Sequence, residues 1–177
     1  MKQSSKAALG GIVAALSLVL LISVAVVPFL TYALPAAAGV LIIFVVIEMN
    51  KRWAIGVYAA VAILAMILVP NKEVAMMYLC FFGYYPILKA ALEKSLPRWA
   101  EWIIKIIVFD VTMFLSYAFM IRFMGITLDD MDDFGKWAVP MLLGLGTVTF
   151  VIYDIALTKI ITVYMQKWRK LFKRYFK

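Results

Sequence analysis

Apolar residues fill six long stretches of this chain, over residues 7–27, 32–49, 53–69, 74–92, 99–124 and 137–165, and short polar or charged breaks separate them. Continuous apolar runs of this length predict helices that are hydrophobic all round, the form expected when the surroundings are lipid. They lack the ten-residue alternation of a membrane barrel, and lipid offers no partner to backbone groups left outside a helix or closed barrel. The expected fold is an all-α integral membrane protein, a single domain over residues 1–177 built as a six-transmembrane-helix bundle.

The breaks add direction. Lys and Arg gather at the N-terminus (Lys2, Lys6), in Asn50-Lys51-Arg52, around Lys94 and Arg98, and in the tail from Lys167 through Arg169, Lys170, Lys173 and Arg174 to Lys177. The alternate breaks are poor in cations. The first has none, Lys72 in the third stands beside Glu73, and the fifth sets Asp129-Asp130-Met131-Asp132-Asp133 against Lys136. Basic breaks stay on the cytoplasmic side, so both termini are expected there, as an even number of crossings requires. Trp53, Trp99, Trp102, Trp137 and Trp168 fall near the ends of the runs, where indole favours the membrane interface.

Composition agrees with a multi-pass cell-membrane protein: 66% of residues are hydrophobic and 16% charged, against about 45–50% and about 25% in soluble domains. The formal charge of +8 lies largely in the tail after the last run, where it suits anionic lipid headgroups rather than nucleic acid. The first run continues without a charge well past the length of an export-signal core, so a retained helix is expected. Cys80 is the single cysteine and histidine is absent. These two facts remove an intrachain disulfide, zinc-protease motifs, Ser-His catalysis and imidazole ligation of haem. Neither a cofactor nor a metal is expected. The acidic loop is read as solvated and orientation-setting, with weak Ca²⁺ binding as its alternative. An enzymatic role is disfavoured, since no nucleophile motif is present.

Three groups of residues stand out. Ala7, Gly11 and Ala15 recur every four residues, as do Gly10 and Ala14, a spacing that lets another helix approach closely. Such a face serves either packing inside the bundle or docking of another subunit. Asp110 and Asp154 lie deep in the fifth and sixth runs, where a carboxylate must face protein or water. Each has a lysine five residues nearer the cytoplasm, Lys105 and Lys159, too far round its own helix to pair. The expected contact is therefore between helices, Asp110 with Lys159 or Asp154 with Lys105. Finally, Tyr32, Tyr78, Phe81, Tyr85, Tyr117 and Arg122 gather aromatic area and one cation in the outer half. That mixture suits a ligand site, or else core and lipid-facing packing.

On the Ala7–Gly11–Ala15 motif and the six-run, N-in/C-in layout, the whole chain resembles the substrate-binding S component of an energy-coupling factor (ECF) transporter. The resemblance implies capture of a small vitamin-like or related metabolite at the outer face, with uptake driven by separate ATPase subunits through a T subunit docked on the first helix. Gly11 stands where the family motif usually has alanine. The chain has no G-x-x-x-x-G-K-[ST] loop of its own, so the energy must come from such partners. The competing class is a non-transporting multi-span scaffold of cell-envelope synthesis, which would be a solid bundle. An outer pocket separates the two.

Overall fold

In the computed structural model, which describes residues 3–124 and 138–169, the chain is all-helical, with no strand among the described residues. Its helices are α1 (Gln3–Ser23), α2 (Ala33–Glu48), α3 (Lys51–Leu68), α4 (Lys72–Met77), α5 (Tyr85–Ser95), α6 (Arg98–Met124) and α7 (Ala138–Val163). Among the described residues, four rods are long and apolar enough to cross a membrane: Gln3–Ser23, Lys51–Leu68, Lys72–Ser95 and Leu143–Lys167. The apolar α2 is shorter, at 16 residues, and α6 runs for 27. The acidic loop, Lys2, Lys136, Trp137 and the tail from Lys170 lie outside the described residues, as do the side chains of Tyr117 and Trp168.

The polar breaks make the turns. Asn50 caps α3 by accepting from Trp53 N–H at 3.0 Å, and Asn71 caps α4 by accepting from Glu73 N–H at 3.0 Å. The Lys72 ammonium donates back to the carbonyls of Met66 (2.8 Å) and Val69 (3.0 Å), satisfying the open end of α3. The first helix ends earlier than the apolar run, at Ser23. Ser23 Oγ bonds back to the Val19 carbonyl at 2.7 Å, and Pro28, lacking an N–H, opens a 3₁₀ turn over Pro28–Leu30.

A π-helical turn, Tyr78–Phe82, joins α4 to α5, closed by the 2.8 Å bond from Gly83 N–H to the Tyr78 carbonyl. Pro86 supplies no N–H to the Phe82 carbonyl four residues back, so that oxygen turns to α2 instead. It lies against the Cα of Gly39, where a Cβ would overlap it. The core is built on this rod: Val74, Ala75, Tyr78, Phe81 and Tyr85 are buried, the rod packing on α2, α3 and α6 and the rings of Phe81 and Tyr85 on Phe150 of α7.

Helix α1 packs on α2 and α3 through Leu9, Gly10, Val13, Ser17 and Leu21. At one end of the bundle, Glu48 at the close of α2 accepts from Tyr164 OH at 3.2 Å and lies 3.5 Å from Arg169 Nε. The chain's last described turn therefore shares an end with the α2–α3 turn.

Candidate functional site: an aromatic cavity beside a buried ionic cluster

Where α5, α6 and α7 meet, two lysines and three carboxylates assemble among the described residues. Lys89 donates to Asp154 Oδ1 at 2.7 Å and to Thr158 Oγ1 at 2.9 Å, and pairs with Glu93 Oε1 at 2.5 Å. Lys105 pairs with Glu93 Oε1 at 3.2 Å, with Asp154 Oδ1 at 3.2 Å and with Glu101. An ammonium has three donors, and each lysine meets three acceptor side chains. Tyr85 OH adds a bond to Asp154 Oδ1 at 2.5 Å, and Lys105 Nζ lies 5.5 Å from the centroid of the Trp102 ring. Lys89, Lys105 and Asp154 are buried, whereas Glu93 has a side chain 36% exposed and is the cluster's contact with solvent.

Spacing alone builds half of this cluster. Lys89 and Glu93 on α5, and Glu101 and Lys105 on α6, are i,i+4 pairs on either side of the Leu96-Pro97 turn. Folding that hairpin brings the pairs together, and Asp154 on α7 closes the set.

On the other side of Tyr85 lies a cavity of about 340 Å³. The π turn contributes Phe81 and Phe82, with Met77 just before it, and α6 contributes Phe109 and Met113. Gly146, Thr149, Phe150 and Tyr153 of α7 form the facing wall, and Tyr32 stands at the α1–α2 connection. The rings hold one another in place. Phe109 stacks on Phe150 at 4.8 Å between centroids, Phe81 stacks on Tyr85 at 4.8 Å, and Phe81 meets Phe109 edge-on at 5.0 Å. Tyr85 thus serves both halves, its ring against the cavity floor and its hydroxyl on Asp154.

Of the residues expected around a ligand, Phe81 and Tyr32 line the cavity and Tyr85 lies behind Phe81. Tyr78 does not line it. Its ring is wholly buried, 6.2 Å from Tyr58 of α3, and Met77 takes the cavity position. The cause is the π turn, whose extra residue shifts the face by one position relative to a regular α-helix. Arg122 is exposed in the last turn of α6 and does not line the cavity. There a cation is stabilised by the carbonyl end of the helix dipole.

Of the two cross-helix pairs, the Asp154–Lys105 contact forms. Asp110 instead accepts from Thr147 Oγ1 at 3.0 Å, and Lys159 is exposed on α7. Lys89, Glu93 and Glu101 are the members that sequence reasoning missed, although a lysine inside the run 74–92 was itself a signal that a carboxylate must face it. Phe150 and Tyr153 were missed because aromatic residues in an apolar run look the same whether they line a cavity or fill a core.

The two sets of small residues on α1 separate. Gly10 is buried, and a Cβ there would stand 3.1 Å from Val57. Ala7, Gly11 and Ala15 are exposed, and a Cβ on Gly11 would meet nothing within 4 Å.

No protein-family model, no curated protein and no solved structure matches this chain. The class that its residues define is an all-helical protein with apolar rods able to cross a membrane, holding a cavity and a buried ionic cluster.

Proposed function

We propose that this chain is a membrane-embedded solute-binding subunit similar to an ECF S component. Six helices cross the cell membrane and both termini are cytoplasmic. It captures a small vitamin-like or related metabolite at the outer face, for uptake driven by separate T and ATPase subunits.

The observation that carries this reading is the aromatic cavity. Its lining includes Tyr32 and Met77, toward the α1–α2 and α3–α4 connections, away from the end where Glu48 meets Tyr164 and Arg169. With the basic breaks placed inside, that side of the cavity faces outward. A scaffold needs no such space, so the cavity weighs against a solid bundle. The exposed Ala7–Gly11–Ala15 face supports the partner, since it is free to admit the close approach of another helix. The ionic cluster supports a rigid base for the site, because it ties α5, α6 and α7 together directly behind Tyr85.

Purification from native membranes tests the reading. The expected result is recovery of ATPase and T-type subunits together with a bound metabolite, and loss of both subunits from Gly11→Leu with the fold intact. Recovery of envelope-synthesis proteins with no ligand would overturn it in favour of a scaffold.

A further inference from the structure

We propose that the cavity selects a neutral, flat, π-rich solute and rejects both anions and cations built on the same ring system. This rests on the reading of the chain as a solute-binding subunit: the charges behind the cavity are paired with one another, and three of its lining rings are stacked.

Among the described residues, an anion finds no partner in the cavity. Among the described residues, no charged side chain lines the cavity, and its polar side chains are Tyr32, Thr149 and Tyr153. Lys89 and Lys105, behind the Phe81–Tyr85 stack, each already face three acceptor side chains. Arg122 is exposed and off the cavity. A carboxylate or phosphate would therefore be buried unpaired, the least favourable outcome for a charge leaving water.

A cation fares little better, although aromatic rings can hold one. Cation binding needs free π faces converging on one point. Here Phe109 and Phe150 cover each other at an interplanar angle of 12°, and Phe81 lies against Tyr85 at 28°. Each stack removes one face of Phe109, Phe150 and Phe81 from a cation, and the edges of stacked rings carry partial positive charge. Edges repel a cation and favour the electron-rich face of another ring. Met77 and Met113 add adaptable sulfur contacts to the same kind of surface. The hydroxyl of Tyr153, which reaches the Ala36 carbonyl only at 3.4 Å, is the group best placed to turn and orient a neutral polar atom of the solute.

The test uses three radiolabelled molecules that share a ring and differ in charge: indole, tryptamine and indole-3-acetate. Each is titrated against the full chain in nanodiscs. Two variants fill the space. Gly146→Leu extends from a position where a Cβ already stands 3.4 Å from the Phe109 ring, and Thr149→Phe fills it from a more exposed position, which keeps the test available if the first fails to fold. Saturable binding of indole at least about tenfold tighter than of either charged relative, and lost in a folded filling variant, is the expected result. Equal or tighter binding of tryptamine or indole-3-acetate, abolished by the same variants, would overturn the selectivity while leaving the solute-binding reading standing. Absence of saturable binding by all three would overturn both.

Discussion

With Lys89 replaced by Met, three carboxylates would share Lys105 alone, and two of them, Asp154 and Glu101, are largely buried. Breaking a buried pair in this way costs about 3–5 kcal/mol. Asp154→Asn should cost less, because it leaves two lysines against two carboxylates and keeps an oxygen to accept from Tyr85 and Lys89. The double variant is expected to be more stable than the sum of the two single losses implies, by about 0.5–3 kcal/mol. Glu93→Gln touches the solvent-facing member and should stay within about 1 kcal/mol. Unfolding of the four variants in detergent measures all of this, and strict additivity of Lys89→Met with Asp154→Asn would refute the shared network. At this scale the sequence was partly legible. Asp154 was visible as a carboxylate that had to face protein or water, and its pairing with Lys105 was one of the two expected cross-helix contacts. Lys89 escaped because its neighbours set the character of the run, and Arg122 drew attention that its exposed position does not justify. An isolated cation signals that a partner must exist, but the partner is chosen by the packing of helices far apart in sequence.

The rod from Lys72 to Ser95 is where a regular helix would have given a different molecule. Pro86 frees the Phe82 carbonyl, the π turn takes up the extra residue, and Gly39 lets the α2 backbone lie against that oxygen. Gly39→Ala would place a Cβ into the Phe82 carbonyl and the Tyr153 hydroxyl, and backbone atoms cannot yield as a side-chain tip can. A loss of about 1–3 kcal/mol is expected, the range for overpacking. Gly11→Ala and Gly56→Ala, with nothing within 4 Å of the added carbon, should leave thermal unfolding unchanged or slightly raised. If Gly39→Ala proves as harmless as these two, the α2 contact with the π turn is not close. The apolar runs and their polar breaks made the existence of helices legible, because length, Pro and Asn act locally. The π turn was not legible. Pro86 was in plain view, but whether a proline kinks a helix, ends it or inserts a residue depends on which neighbour receives the freed carbonyl.

For the whole molecule, length bears on α2 and α6. Sixteen residues give α2 about 24 Å of rise, short of the hydrocarbon thickness of about 30 Å. Tyr32 and Met49 flank it and the 3₁₀ turn precedes it, so apolar chain continues beyond the regular helix. Helix α6 carries Glu101 and Lys105 near its start, but the ionic cluster neutralises both inside protein, which removes much of the cost of placing them at membrane depth. With α2 and α6 proposed to cross as well, six crossings with the basic breaks inside make a concrete expectation for labelling. In a Cys80→Ser background, which removes the single native thiol, Phe29→Cys and Pro70→Cys should react with a membrane-impermeant maleimide on intact cells, both positions being exposed. Ser4→Cys, Ser95→Cys and Gln166→Cys should react only after lysis. Were Ser4→Cys and Gln166→Cys to label from opposite sides, the number of crossings would be odd, and the Tyr32 side of the cavity could no longer be assigned to the outer face by the position of the termini. Protection of Phe29→Cys and Pro70→Cys together with outside labelling at Ser95→Cys would instead invert the bundle. That inversion would turn the same aromatic cavity toward the cytoplasm and make capture from outside untenable.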